Sequence, residues 1–173
     1  QIEILEKRKV TKEVCNEIYL FYLDTIEKKW SYNYLTKDFF DNLPKYLGDE
    51  VIIIVAKIDN NIVAASLNFH SNNCLYGRYW GSKVNIPFLH FEICYYSAIE
   101  FAIKNGLEKV EAGAQGEHKI QRGYVPQETF SAHLMFDNNL KKAISQFVDE
   151  EKKIISENIN LLNKDYTPFK SSC

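Results

Sequence analysis

The chain has 173 residues, 46% of them apolar and 25% charged, with a formal net charge of −2. That length suits one domain able to bury a core, and the near-neutral charge excludes a global basic field that would recruit nucleic acid. No apolar run approaches the roughly 18 residues of a membrane helix and no secretory leader is recognisable, so no membrane span is expected.

Residues 2–7 predict a short first strand. Thr11 predicts an N-cap for a helix over 12–30, in which Val14, Ile18, Phe21, Thr25 and Ile26 recur at helical spacing. Thr36 predicts a second N-cap, and Pro44 should end or kink the helix that follows, with Gly48 at its exit. Three strands are then expected at 51–58, 62–70 and 74–80. Asp59, Asn60 and Asn61 form the first tight turn between them, because Asn and Asp tolerate left-handed backbone. Gly77 and Gly81 permit a bulge or a close backbone approach in the third strand.

Pro87 suits the first turn of a helix over 88–104, apolar on nearly every side and so expected to be buried on more than one face. A strand over 108–114 follows, and a strand–helix–strand unit of this length predicts a parallel pair. The loop 115–123 reads as a helical turn at best, 127–136 as a last strand, and 138–162 as a long amphipathic helix. That helix should turn Leu140, Ile144, Phe147, Ile154 and Ile155 inward. The predicted architecture is one α/β domain over 1–173, a mixed sheet with helices on both faces.

Chemistry-bearing residues concentrate between Cys74 and His133. On the apolar helix, Glu92 and His90 are candidates for proton transfer. They lie about 200° apart, so they do not share a face, and a buried carboxylate would need a partner such as Arg78 or Lys119. In GAQGEHKIQRG, Gln115, Glu117, His118, Lys119 and Arg122 supply donors, acceptors and charge among glycines. Lys119 and Arg122 are spaced to hold an anionic group together, and Glu117 or His118 could serve as a base. His133 could face the same cleft or the opposite side of the sheet. His90 and Cys94 have metal-ligand spacing but no third or fourth ligand, so no metal site is expected. The cysteines (Cys15, Cys74, Cys94 and Cys173) form no C-x-x-C pair, which favours reduced thiols and a cytoplasmic location.

LYGRYWG, then FLHFEICYYSAIEFAI, then EAGAQGEHKIQRGYVPQ with a following SAH, resemble the FemAB-like, or peptidoglycan biosynthesis/recognition, proteins of the GNAT N-acyltransferase superfamily. The resemblance implies a GNAT fold and transfer of an acyl or aminoacyl group to an amine. In GNAT enzymes the donor lies where two parallel strands splay apart, which here implicates Arg78, Tyr79, Trp80 and Gly81. It further implies that these residues form the C-terminal half of a two-unit protein, as the first residue, Gln1, also suggests. The partners would then be an absent N-terminal half, a small-molecule or peptide amine, and tRNA. No permanently bound cofactor is implied; acyl-CoA or aminoacyl-tRNA would be the donor. The usual glycine-rich pyrophosphate loop is replaced by GSKVNIPFLHF, which argues against the ordinary CoA mode. A non-catalytic, ligand-binding or scaffolding half-domain is the alternative.

Overall fold

The computed structural model describes residues 1–113 and 116–168, without the side chain of Glu117. They fall into two compact units, Gln1–Ala114 and Gln115–Cys173.

The first unit is built on a five-stranded sheet in the order β1-β2-β3-β4-β5: β1 Ile2–Glu6, β2 Val51–Ile58, β3 Asn61–His70, β4 Cys74–Ser82 and β5 Lys109–Glu111. The first four run antiparallel to their neighbours, and β5 runs parallel to β4. β2 and β3 are joined by Asp59 and Asn60, both left-handed (φ 49° and 65°). That two-residue turn has the hand that matches strand twist. β2 alternates between two cores. Val51, Ile53 and Val55 meet α1 (Lys12–Lys28) and α2 (Lys37–Tyr46), while Ile52, Ile54 and Ala56 meet the helical run on the other face. Each fully buried side chain of this kind contributes about 1.5–3 kcal/mol. A mixed sheet with helices on both faces is therefore what this unit is.

Thr11 caps α1 by accepting from the Val14 N–H. Pro44 does not stop α2. It sits in the last turn, and the helix continues to Tyr46. Only the hydrogen bond that its own missing N–H would have made is lost.

The helical run is α3 (Leu89–Phe91), a π-helical turn (Glu92–Tyr96) and α4 (Ser97–Lys104). It buries Ile93, Tyr95, Ala98, Phe101 and Ala102, and exposes Glu92, Tyr96, Glu100 and Ile103. The expectation of burial on several faces is thus corrected: one face is buried, and its apolar surplus faces outward.

The second unit contains a 3-10 turn (Glu117–Arg122) and α5 (Asn138–Asp165), whose N-cap Asp137 accepts from the Leu140 N–H at 2.8 Å. The strand expected at 127–136 does not form. A strand needs a neighbour for its N–H and C=O groups, and no other strand is present among the described residues of this unit. Nor does α5 turn its apolar residues inward: Leu140, Phe147, Ile154 and Ile155 are exposed and Ile144 is half-buried.

Candidate functional site

The pairing of β4 with β3 slips by one residue. Leu67 lies opposite Tyr79 and Asn68 opposite Gly77, so Arg78 is the extra residue of a bulge in β4. A bulge reverses the alternation beyond it. Leu75 packs in the core under the helical run, Tyr79 turns to the α1/α2 side, and Trp80 returns to the helical-run side.

On its other edge β4 pairs with β5 only as far as Tyr76 opposite Glu111. Beyond that point the edge of β4 has no strand partner among the described residues. The Lys83 N–H bonds the Val63 carbonyl at 2.8 Å. Bonded pairs alternate along an antiparallel ladder, and Ala65–Gly81 and Leu67–Tyr79 follow in register. Trp80 therefore turns both of its backbone groups away from β3, toward the open edge. Its carbonyl accepts from Thr25 Oγ1 on α1 at 3.0 Å, which leaves the N–H as the donor aimed along the edge.

Gly81 allows this arrangement. A Cβ there would lie 2.5 Å from Phe21 Cβ and 2.8 Å from the Phe21 carbonyl oxygen. Only glycine lets α1 close on β4 at this point. Phe21 and Thr25 are one helical turn apart, so the same approach delivers the Thr25 hydroxyl to Trp80.

Beside this edge lies a cleft of about 570 Å³, lined by Thr25, Lys28, Trp80, Gly81, Phe88 and His90 among others. The His90 ring stands 5.2 Å from Trp80 and 5.3 Å, edge-on, from Tyr95. The π turn makes the latter contact at i,i+5, replacing the α-helical alignment of His90 with Cys94. Burial pushes the Cys94 thiol up to about 12. Phe88 opens the run in left-handed backbone (φ 65°), a conformation a non-glycine residue rarely adopts. A second cleft of similar size, about 580 Å³, lies at β1 and Lys7–Lys9 and contains none of the candidate residues.

The bulge separates Arg78 and Tyr79 from that cleft. The Arg78 guanidinium lies 4.7 Å over the Tyr79 ring and donates to Tyr34 Oη at 3.4 Å. Tyr79 donates to the same oxygen at 2.6 Å. Tyr22 Oη accepts the N–H groups of Tyr34 and Leu35 at 3.1 and 3.2 Å. This phenol cluster ties the connection between α1 and α2 to the bulge. Burial, then the bond to Tyr34, pushes the Tyr79 phenol well above its ordinary value.

Among the sequence candidates, Trp80, Gly81 and His90 are therefore brought together, and Arg78 and Tyr79 lie on the other side of the sheet. Glu92 is exposed on the solvent side of the helical run. The burial expected for it is corrected.

In the second unit, Gly116 and Gly123 (φ 104° and 91°) bracket the 3-10 turn that carries Glu117, His118, Lys119 and Arg122. A threefold turn brings Lys119 and Arg122 to one side. The Arg122 guanidinium donates to the His118 carbonyl, and burial holds the Lys119 ammonium below its ordinary value. His133 is exposed on irregular backbone, with Nε2 2.9 Å from Ser131 Oγ. Gln115 lies outside the described residues. Among those residues, no group of three metal-ligating side chains occurs, and no helix is long and apolar enough to cross a membrane.

Thr25 and Tyr34 were not among the candidates. A hydroxyl at an inward position of α1 was the signal for Thr25; Tyr34 lies in a stretch without periodicity and gave none.

A protein-family profile described as FemAB-like, peptidoglycan biosynthesis/recognition, matches residues 1–171. No curated protein matches. Solved structures share the fold. A ribosomal-protein-alanine N-acetyltransferase from Brucella melitensis biovar Abortus 2308 is 9% identical, with a TM-score of 0.56 over 79% of this chain and 99% of that one. A possible acetyltransferase from Clostridium difficile 630 is 12% identical, with a TM-score of 0.53 over 79% and 99%. An aminoglycoside acetyltransferase from an uncultured soil metagenomic sample, in complex with sisomicin, is 15% identical, with a TM-score of 0.52 over 79% and 95%. The fold is thus the GNAT-type acyltransferase fold. The family match also corrects one expectation. It runs through nearly the whole chain, so it is not confined to a C-terminal half, and the absent N-terminal partner half inferred from the sequence is withdrawn.

Proposed function

We propose, for a chain that belongs to the FemAB-like family, that it is an N-acyltransferase moving an acyl or aminoacyl group from a thioester or tRNA donor to an amine acceptor in cell-wall metabolism. The observation that carries this reading is the open edge of β4, with the Trp80 N–H directed along it and its carbonyl already engaged by Thr25.

The acyl carbonyl lies along that edge, and the Trp80 N–H donates to the oxygen as negative charge develops there. The amine attacks the carbonyl carbon, so a C–N bond forms. The C–S bond of a thioester, or the C–O bond of an aminoacyl ester, breaks. The ammonium proton passes to the leaving group through a positioned base, a step worth about 10²–10⁴-fold. His90 lines the cleft beside Trp80 and is the base we favour in the first unit; Glu92 faces solvent outside that cleft, and Glu117 and His118 are the proton-transfer candidates of the second unit taken by itself. That unit also offers Lys119 and Arg122 for an anionic group, with Gln115 and His133 as its further polar candidates, while Arg78 and Tyr79 face away from the cleft and take no part in seating the acyl group.

The connection after β4 does not fit a pyrophosphate in the usual GNAT manner. It lacks the glycines, and the Leu89 N–H is already bonded to the Ile86 carbonyl at 3.3 Å. The reading therefore seats the acyl group and leaves the rest of the donor unassigned.

The test is amide formation, followed by mass spectrometry, with acyl-CoA or aminoacyl-tRNA and a panel of primary amines. Product is expected, with losses in His90→Ala or in Glu117→Gln, His118→Ala and Lys119→Ala. Wild-type activity in all four variants would remove the proton-transfer and anion-binding assignments. Absence of product with every donor would turn the reading toward a ligand-binding module.

A further inference from the structure

The cleft beside the open edge of β4 has a wall of aromatic side chains. The His90 ring packs 5.2 Å from Trp80 and 5.6 Å from Phe91, and Phe91 packs 6.3 Å from Phe88. All four residues line the cleft, as does Ile86. The outer part of the wall lies in water: Phe88 is 76% exposed, and Ile86 is exposed as well. Phe88 is held there in left-handed backbone (φ 65°), a strained conformation for a non-glycine residue that collects at active sites and ligand clamps. A wall of this kind beside the directed Trp80 N–H suits a ligand with a carbonyl at one end and an apolar body.

The charges bear on what that body is. Asp24 is the one carboxylate among the described lining residues, and it is paired with Lys28 at 2.6 Å. Lys29 lines the same cleft without an ion-pair partner among the described residues. An ammonium group brought into the cleft therefore meets lysine charge and no free carboxylate on these residues, and like charges placed together are costly. A carbon chain or ring meets apolar and aromatic surface that it removes from water. Ring faces also attract cations, and the amides compared below separate the two cases.

We propose that the acyl group taken by this cleft is uncharged and apolar, with its body against Trp80, Phe88 and Phe91, and that an aminoacyl group is disfavoured by its α-ammonium. The proposal rests on the acyl-transfer reading for the purpose of the cleft, and adds what the cleft selects.

The test uses primary amides, which keep the acyl carbonyl and do not transfer it. The chain has two tryptophans, Trp30 and Trp80, and Trp30 is 95% exposed, so Trp30→Phe leaves Trp80 as the single indole reporter. That variant of the full chain is titrated with acetamide, hexanamide, 3-phenylpropanamide and phenylalaninamide, at a pH where the amine of the last is charged. The last two differ by that ammonium alone. Trp80 emission is expected to saturate at a concentration at least about tenfold lower for hexanamide and 3-phenylpropanamide than for acetamide or phenylalaninamide. The preference is expected to shrink in Phe88→Ala and in Ile86→Ala, both changes at exposed positions. Equal affinity for all four amides, tighter binding of phenylalaninamide, or no response of Trp80 to any of them would each overturn the inference. Apolar amides bound as expected, without amide formation from the matching thioesters, would instead count against the acyl-transfer reading and leave the preference of the cleft standing.

Discussion

Thr25 on α1 donates its hydroxyl to the carbonyl of Trp80 on β4, 3.0 Å away and 55 residues distant in sequence. The bond satisfies the one backbone group of Trp80 that would otherwise compete at the open edge, and fixes the peptide whose N–H is proposed to meet the substrate. Thr25→Val keeps the shape and removes the donor. The expected cost is about 1 kcal/mol of stability, with a fall in kcat larger than any change in KM. Thermal unfolding and steady-state kinetics on the same preparation check both parts.

Gly81→Ala places a methyl group where Phe21 already stands. Neither the strand nor the helix backbone can move without disturbing the core behind it. A loss of about 1–3 kcal/mol or more is expected, seen as a lower urea midpoint with an unchanged slope.

Tyr34 and Tyr79 share a 2.6 Å hydrogen bond at the bulge. Tyr34→Phe, Tyr79→Phe and the double variant form a cycle whose coupling should be about 0.5–1.5 kcal/mol. Tyr79 should also be among the last tyrosines to ionise, because burial and the bond to Tyr34 both push its phenol up. An alkaline absorbance titration of wild type against Tyr79→Phe should show that the lost step is a late one.

Cys15 is fully buried on α1, and burial raises its thiol from an ordinary 9.0 to about 11. A raised folded value means the folded chain keeps a proton that the unfolded chain releases. The resulting stability is complete below pH 9 and declines as pH rises from about 9 toward 11. Thiol reagents near neutral pH should therefore leave Cys15 unmodified until the chain unfolds, as mass spectrometry of labelled peptides would show.

Much of the first unit was legible in sequence because its signals are local. The unbroken β-branched run of β2, the Asp59–Asn60 turn and the Thr11 cap each specify their own geometry. The two glycines of β4 announced a bulge and a close approach, and both are present at Arg78 and Gly81. Signals that depend on partners misled. Residues 127–136 alternate like a strand but have no neighbour to pair with among the described residues of their unit. Glu92 sits in an apolar sequence, yet it falls on the same exposed face as Tyr96, Glu100 and Ile103, while Ile93, Tyr95 and Ala98 take the buried one. Thr25 and Trp80 show the limit most plainly. Each was visible alone, but only the folded sheet brings a helix hydroxyl to a strand carbonyl.

The central claim is that the open edge of β4 receives an acyl donor. The most direct measurement is thermal stability of the full chain against acyl-CoAs, free CoA and aminoacyl-tRNA. A donor at about 100 times its dissociation constant should add roughly 2.7 kcal/mol, and the account predicts such a shift for an acylated donor, reduced in Thr25→Val. Unchanged melting with every donor would contradict it.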